Sequence, residues 1–284
     1  MSSVGIVIVA AGRGRRLGAE MPKQYIELAG ACSLRRVAET FLGLKRTSFI
    51  VPVIHPGDAE LCAAALARLD DARLLPAVDG GDTRAQSVRR GLEALEAHNP
   101  DLVLIHDAAR PFVPVSVIED VIAALGFSDG ALAALPVVDA LWKEEGGGAG
   151  EPVARTGLWR AQTPQGFDFA KILAAHRAHD GTGADDVAVA REAGIAVRLV
   201  PGSEQNYKIT TADDLDRALG VALFQRRLGR RGLKRLALGR AHVGQRIAMQ
   251  YVRGIELRQK PNCLVLAWRG IAELANRRIP DLVH

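Results

Sequence analysis

The sequence is poor in the features that mark secreted and membrane-spanning proteins. It has three cysteines in 284 residues, and they lie far apart, so we expect neither a disulfide framework nor a zinc site, and the reducing cytoplasm is the expected compartment. No apolar run reaches the ~18 residues that a membrane-spanning helix needs. The apolar start lacks a basic leader and a small-residue cleavage site, which favours a strand over a signal peptide. With 48% hydrophobic and 24% charged residues, the composition is that of a folded globular protein.

The net charge of +5 is unevenly distributed along the chain. Residues 221–284 carry 14 Lys or Arg and 3 Asp or Glu, a net charge of +11. That leaves 23 basic and 29 acidic side chains, a net charge of −6, in residues 1–220. The high isoelectric point therefore comes from the tail, and it does not indicate nucleic-acid binding by the first 220 residues.

Short apolar runs alternate with helical patterns. The predicted strands are Val4–Val9, Phe49–Ile54, Leu102–Ile105, Ala131–Leu135 and Ala196–Val200. The predicted helices between them are Ala59–Leu69, Arg84–Ala97, Val115–Leu125, Asp168–His179 and Asp185–Ala193. This alternation predicts an α/β fold with a doubly wound, mostly parallel sheet and helices on both faces. Ligands of such sheets bind beyond the carboxyl ends of the strands.

A glycine-rich turn at residues 144–150 interrupts the alternation. Val137–Lys143 precedes this turn and Pro152–Gln162 follows it, so we predict a two-stranded arm over about residues 137–162. A last helix is expected from Ala212 to about Leu228. These boundaries divide the chain into a domain of residues 1–225 and a basic C-terminal extension of residues 226–284, for which no fold is predicted.

The first strand leads into a glycine-rich loop, Ala10-Ala11-Gly12-Arg13-Gly14-Arg15-Arg16-Leu17-Gly18. Glycines after a strand let backbone N–H groups approach a phosphate closely. The loop lacks the Gly-Lys-Ser/Thr of a P-loop, and Leu17 stands where a dinucleotide fingerprint needs Gly or Ala. Two cations, Arg16 and Lys23, suit a triphosphate whose charge grows in the transition state. The alternative is a tight turn with solvated arginines.

Taken with Pro22-Lys23-Gln24-Tyr25, this loop resembles the signature of the nucleotidyltransferases that activate sugar phosphates, and in particular of the 2-C-methyl-D-erythritol 4-phosphate cytidylyltransferase family. Further blocks match that family in order: Gly80-Gly81-Asp82-Thr83-Arg84-Ala85-Gln86-Ser87-Val88, His106-Asp107-Ala108-Ala109-Arg110-Pro111-Phe112, Thr163-Pro164-Gln165-Gly166-Phe167 and Asn206-Tyr207-Lys208-Ile209-Thr210. The resemblance covers about residues 3–225. It implies that the protein is a cytidylyltransferase.

Asp107 follows a predicted strand, where α/β sheets place their ligands. A carboxylate there suits Mg²⁺, which bridges phosphate oxygens. The alternative is that Asp107 caps the helix that begins after Pro114. Arg110 suits a phosphate, whereas His106 is expected to be structural, because an anionic attacking phosphate needs no general base.

The segment from Gly80 to Ser87 is predicted to be a turn that leads into a helix. Its backbone groups can contact the edge of a base. Without the resemblance, a glycine turn with an Asp or Thr cap is the favoured interpretation. The resemblance implies that this segment holds cytosine. The CTP-binding residues that it implies are Ala10, Ala11, Gly12, Gly14, Gly81, Asp82, Ser87 and Ala108.

The arm carries two tryptophans, Trp142 and Trp159, and exposed apolar surface on an arm indicates a partner. The resemblance implies that the arm crosses a twofold axis of a homodimer and that Arg155 reaches the acceptor site of the neighbouring subunit. It also implies that the acceptor is bound by Asp107, Arg110, Arg155, Thr163 and Lys208, and that Arg16, Lys23, Arg155 and Lys208 are the catalytic residues. Without the resemblance, Arg155 and Lys208 are ordinary surface cations.

The implied reaction is the transfer of CMP from CTP to 2-C-methyl-D-erythritol 4-phosphate, with release of pyrophosphate and with Mg²⁺ on Asp107. Three alternatives stay open: a ribitol-5-phosphate cytidylyltransferase, a non-catalytic nucleotide- or RNA-binding protein that uses the basic tail, and, with less support, an oxidoreductase. We expect neither a membrane nor a nucleic-acid partner. Some relatives are fused to a cyclodiphosphate synthase that begins with a zinc-binding Asp-x-His, but residues after 220 contain no Asp-x-His, so that second activity is not predicted.

Overall fold

The computed structural model describes residues 2–13 and 21–230. The chain divides into two compact units, residues 1–223 and 224–284. Residues 224–230 of the second unit are described, and they are helical. The predicted extension at residues 226–284 therefore lies almost wholly outside the described residues, and its predicted boundary stays a prediction.

Eleven strands and seven α-helices form in the described residues. The strands are β1 (Val4–Ala10), β2 (Glu27–Leu28), β3 (Ala31–Cys32), β4 (Thr47–Ile54), β5 (Val78–Asp79), β6 (Leu102–Asp107), β7 (Gly130–Pro136), β8 (Leu141–Glu145), β9 (Gly148–Val153), β10 (Trp159–Asp168) and β11 (Val197–Pro201). The helices are α1 (Ser33–Leu42), α2 (Ala59–Leu66), α3 (Arg84–Leu95), α4 (Val115–Ala124), α5 (Phe169–Ala178), α6 (Asp186–Glu192) and α7 (Ala212–Arg230).

Seven strands form the main sheet in the order β11-β7-β10-β6-β1-β4-β5. Strand β10 runs antiparallel to both of its neighbours, and the other pairings are parallel. The predicted α/β class with a mostly parallel, doubly wound sheet is therefore confirmed. No helix of the described residues is long and apolar enough to cross a membrane.

Strand β1 lies at the centre of the sheet and is buried on both faces. Ile6 and Ile8 belong to one hydrophobic core, together with residues of α1 and α4. Val7 points to the opposite core, which contains residues of α3, α5 and α6. Successive side chains of a strand point to opposite faces, so the unbroken apolar run in β1 contributes side chains to both hydrophobic cores.

Two elements differ from the sequence predictions. Helix α1 was not predicted, although Leu34, Val37 and Phe41 form its buried face. The arm is shorter than expected, since its hairpin is β8–β9. The returning strand of the arm ends at Val153, and Trp159–Asp168 is a ten-residue strand of the main sheet, so the prediction that the arm returns through Pro152–Gln162 is wrong beyond Val153. A bulge between Ala161 and Gln165 contains the cis Thr163–Pro164 bond.

Candidate active site

Three loops meet at the carboxyl ends of the central strands. Val9 of β1 pairs with Asp107 of β6, and the backbone N–H of Ala108 donates to the carbonyl of Val9 (3.0 Å). A Cβ added to Gly80 would lie 2.5 Å from the Cβ of Ala11, so the glycine allows the two loops to touch. The predicted nucleotide loop, the predicted base loop and Asp107 are thus neighbours at one sheet edge.

The glycine-rich loop is described as far as Arg13, and Gly14 and Arg16 lie outside the described residues. Gln24 anchors its start, because its side-chain amide donates to the buried carbonyl of Ala10 (2.6 Å). A Cβ added to Gly12 would meet nothing within 4 Å among the described residues.

Lys23 links the nucleotide loop to the segment that carries Lys208. The Lys23 ammonium donates to the carbonyl of Ile209 (2.7 Å), and the N–H of Ile209 donates to the carbonyl of Ala109 (2.9 Å). Lys23, which is predicted to contact the nucleotide, therefore bonds to the residue that follows Lys208, which is predicted to bind the acceptor.

Asp107 is 6% exposed and faces three cations. The Lys208 ammonium lies 2.8 Å from its Oδ2, and the Nε atoms of Arg110 and Arg84 each lie 3.6 Å from a carboxylate oxygen. Burial by itself raises the pKa of Asp107, but Lys208, Arg84 and Arg110 together hold that pKa well below its usual range. Asp107 is therefore an anion inside a cationic cluster, and it does not cap α4, whose N-cap residue is Pro114.

Arg84 connects this cluster to a second buried carboxylate. Its Nη2 lies 2.7 Å from Oδ2 of Asp186, which is 0% exposed, and the other oxygen of Asp186 lies 3.4 Å from Nε2 of His176. Burial opposes the charge of Arg84, but Asp186 and Asp107 outweigh it and raise the pKa of Arg84.

Arg110, Thr163 and His106 lie close to Asp107 and form hydrogen bonds within the chain. The Arg110 guanidinium donates to the carbonyl of Asn206 (2.7 Å). The Thr163 hydroxyl accepts from the N–H of Asp107 and contacts Nδ1 of His106, both at 3.1 Å. Burial lowers the pKa of His106 to about 4, so the imidazole is neutral and its Nε2–H donates to the carbonyl of Arg110. His106 is structural, as predicted, because it supports the turn between Asp107 and Arg110.

The predicted base loop is held by a helix cap. Thr83 is the N-cap residue of α3 and forms a capping box with Gln86. The Ser87 hydroxyl is buried; it accepts from the N–H of Gly81 (3.1 Å) and donates to the carbonyl of Thr83 (2.9 Å). Asp82 is exposed, and its N–H donates to Gln86 (2.9 Å). The cap at Thr83 is confirmed, and the buried Ser87 hydroxyl bonds the backbone of Gly81 and Thr83.

Comparison with known proteins agrees with this geometry. The family model described as 2-C-methyl-D-erythritol 4-phosphate cytidylyltransferase matches residues 4–222. The chain belongs to this family. It is 48% identical over 212 residues to the 2-C-methyl-D-erythritol 4-phosphate cytidylyltransferase of Cereibacter sphaeroides, an alignment that covers 75% of this chain and 93% of the relative.

Longer relatives and solved structures of the cytidylyltransferase family also match. The bifunctional enzyme IspD/IspF of Rhodobacter capsulatus is 51% identical over 219 residues. That match covers 77% of this chain and 56% of the relative, so the chain spans just over half the length of the bifunctional relatives. The crystal structure of the Thermus thermophilus cytidylyltransferase superposes with a TM-score of 0.62 at 32% identity, covering 78% of this chain and all of that one.

The structure brings most of the family's predicted site residues together. Lys23, Asp107, Arg110, Thr163 and Lys208 share one sheet edge. Arg155 lies in the connection from β9 of the arm to β10 of the main sheet, and it donates to the carbonyl of Val138. Within the described chain, this contact keeps Arg155 with the arm and not with Asp107.

The side chains at this sheet edge could bind Mg²⁺ only if a nucleotide supplied further ligands from its phosphate oxygens. No group of three or more His, Cys, Asp or Glu residues forms a metal cluster in residues 2–13 and 21–230. Asp107 supplies one carboxylate, and cations already surround it. Because Mg²⁺ commonly takes one or two carboxylates and completes its shell with phosphate oxygens and water, Asp107 can contribute at most one side of such a shell.

Sequence reasoning missed Arg84, Asp186 and Asn206 as parts of the site. Arg84 was visible as the first residue of a helix after a glycine turn, and Asp186 as the second of two aspartates at a helix start. Nothing in those local patterns shows that the two side chains meet.

Proposed function

We propose that this protein transfers CMP from CTP to 2-C-methyl-D-erythritol 4-phosphate. An oxygen of the acceptor phosphate forms a bond to the α-phosphorus of CTP, the bond from that phosphorus to the β-phosphate bridging oxygen breaks, and pyrophosphate leaves with the electron pair. The observation that carries the proposal is the cationic cluster around Asp107, which lies beside the glycine-rich loop in a chain of the cytidylyltransferase family.

The two phosphate groups would be held by different parts of this edge. Lys23, with Arg16, would stabilise the α-phosphate and the leaving pyrophosphate, because cations placed where charge develops lower the barrier. Lys208 and Arg110 would hold the acceptor phosphate, while Asp107 would orient the acceptor. The Thr163 hydroxyl is bonded inside the chain, so its contribution is to fix Asp107.

Cytosine would lie against the Gly80–Asp82 segment, where Gly81 and Asp82 present their backbone. Ser87 and the capping box hold that segment in one conformation, and preorganised groups bind a base at a lower entropic cost. Mg²⁺ bound to the triphosphate would neutralise part of its charge, with Asp107 as its one ligand from the described chain.

A homodimer would complete the site. Four apolar side chains of the arm region are well exposed: Val138 (63%), Trp142 (59%), Trp159 (43%) and Leu158 (40%). Surface of this kind favours a protein partner, and a second copy would bring its Arg155 to the acceptor phosphate. A cytoplasmic location fits Cys32 and Cys62, which are buried and unpaired.

The test is a pyrophosphate-release assay with CTP, Mg²⁺ and 2-C-methyl-D-erythritol 4-phosphate, run on the full chain and on a version that ends at residue 225. Ribitol 5-phosphate is the matched acceptor. We expect release with the methylerythritol acceptor from both versions. Preference for ribitol 5-phosphate would overturn the acceptor, no release from the full chain would overturn the activity, and loss in the short version alone would overturn the domain boundary.

A further inference from the structure

We infer that Arg84, held by Asp186, is a positioning residue that aligns Asp107 of the acceptor site with the loop predicted to hold the base. The inference rests on the proposed function, since it assigns a role within that same site. Arg84 lies 3.6 Å from Asp107, and the effect would pass through that carboxylate.

The position of Arg84 in the chain is the first part of the argument. Its backbone is the first residue of α3, directly after the Gly80–Thr83 loop, while its side chain extends to Asp107 at the end of β6. One residue therefore spans the distance between the base loop and the acceptor carboxylate. A shift of either element would be transmitted to the other through this side chain.

The two contacts of Arg84 are unequal. Its Nη2 lies 2.7 Å from Asp186, whereas its Nε lies 3.6 Å from Oδ1 of Asp107. Asp186 is fully buried, and it is fixed at the start of α6, where Asp185 caps the helix and accepts from Gln165 (3.0 Å). Arg84 is therefore closer to Asp186 than to Asp107. Of the two carboxylate oxygens of Asp107, Oδ1 lies 3.6 Å from Arg84, whereas Oδ2 lies 2.8 Å from Lys208.

The charge count of the cluster supports the same role. Arg84, Arg110 and Lys208 are three cations, and Asp107 and Asp186 are two anions. Asp185 also acts on Arg84 from the start of α6, so Arg84 is balanced by the carboxylates of α6, and Lys208 and Arg110 are the cations closest to Asp107 that would face an incoming phosphate. A planar guanidinium can bridge two carboxylates with separate N–H groups, which a single ammonium cannot do in the same geometry.

Two variants keep this net charge and remove the bridge. R84K keeps the positive charge but replaces the planar guanidinium by an ammonium group. The double variant R84Q/D186N removes one cation and one anion together. Arg89 and Glu93 form an exposed ion pair on the same helix (2.9 Å), so R89K and the double variant R89Q with E93Q are matched controls.

The experiment measures kcat/KM for the acceptor, KM for CTP, and acceptor binding by calorimetry, with circular dichroism to verify folding. We expect kcat/KM for the acceptor to fall about 10- to 100-fold in both Arg84 variants, because small misplacements near a reacting group have effects of this size. The KM for CTP should stay within about twofold, and the Arg89 controls should match the wild type.

Wild-type acceptor kinetics in a folded R84K would overturn the inference, as would an equal rise of KM for both substrates, which indicates a general structural role. If the double variant does not fold, R84K decides the question. An inactive wild type overturns the proposed function and this inference together, whereas an active wild type with unaffected variants overturns only the inference.

Discussion

Asp107 and Arg155 are both predicted to contact the acceptor, yet the structure surrounds them very differently. Asp107 is 6% exposed and faces three cations of its own chain. Arg155 is exposed in the arm region, near four apolar side chains that are 40–63% exposed. The carboxylate of Asp107 is surrounded by cations of its own chain, whereas the arm region leaves apolar side chains exposed.

The difference indicates that the surroundings of Asp107 are preorganised within one chain, and it motivates the proposal that the arm region contacts a second chain. Buried charges cost free energy unless they are paired and fixed, so the pairing around Asp107 already holds one geometry. Exposed apolar surface is stabilised when another molecule covers it. The two regions should therefore fail in different ways when residues in them are replaced.

The largest effect is expected at the sheet edge, in K23A. Loss of the ammonium would remove the charge stabilisation that we propose for the α-phosphate, and it would also free the carbonyl of Ile209, to which Lys23 donates. We expect turnover to fall about 10²–10³-fold in the pyrophosphate-release assay. K45A, at an exposed lysine, is the control. Near-normal turnover in K23A would contradict the assignment of the glycine-rich loop and Lys23 to the active site.

The next effect tests the arm. R155A should lower kcat/KM for the acceptor roughly 10²-fold, because a cation that positions a phosphate is lost, and the arm lysine variant K143A should not. Lys143 is a suitable control because it is exposed and its ion pair with Glu151 is long (3.7 Å).

Mixing R155A with K23A separates the two regions directly. If Arg155 acts across a dimer, a mixed dimer contains one site with an intact Lys23 from one chain and an intact Arg155 from the other. We expect activity to rise well above that of either variant after subunit exchange. A mixture that stays at the sum of the two variants would place Arg155 in its own chain's site.

A smaller effect is expected for dimer affinity in W142S. Trp142 is 59% exposed, and aromatic anchors at interfaces commonly contribute about 2 kcal/mol or more. Sedimentation should show a higher dissociation constant for the dimer, and the melting temperature of the domain of residues 1–225 should be unchanged. F127S, at an exposed phenylalanine outside the arm (84%), is the control. Equal dimer affinities in W142S and the wild type would move the interface elsewhere.

Sequence reasoning succeeded where local pattern and fold rules agree. The apolar run before Asp107 predicted a strand, and the carboxyl end of a strand predicted a ligand site, so Asp107 and the glycine-rich loop could be placed at one edge. The residue types at this helix start predicted an Asp or Thr cap, and the structure has the cap at Thr83.

The failures have identifiable physical causes. Helix α1 begins after Cys32, which makes no side-chain cap, and its first turn has no acidic residue, so the usual start signals are absent. Strand β10 contains Pro164, which normally excludes an internal strand position, but that proline lies in a bulge. The Arg84–Asp186 pair joins distant segments, and local patterns carry no information on such a pair.

The smallest predicted effect separates support of the fold from support of the site by comparing two helix caps, one beside the site and one at the opposite end of the sheet. Thr83 and Asp168 are both N-cap residues whose side chains accept from a backbone N–H, at the starts of α3 and α5. T83A and D168A should each lower the free energy of unfolding by about 1 kcal/mol, measured by urea denaturation. T83A should also raise KM for CTP by a few fold, because the cap orders the Gly80–Asp82 segment, and D168A should leave that KM unchanged. T83S keeps the hydroxyl and should restore both quantities. An equal KM for CTP in T83A and D168A would mean that the loop keeps its conformation without the cap, and the base would then have to be held by Ser87 and the glycine backbone alone.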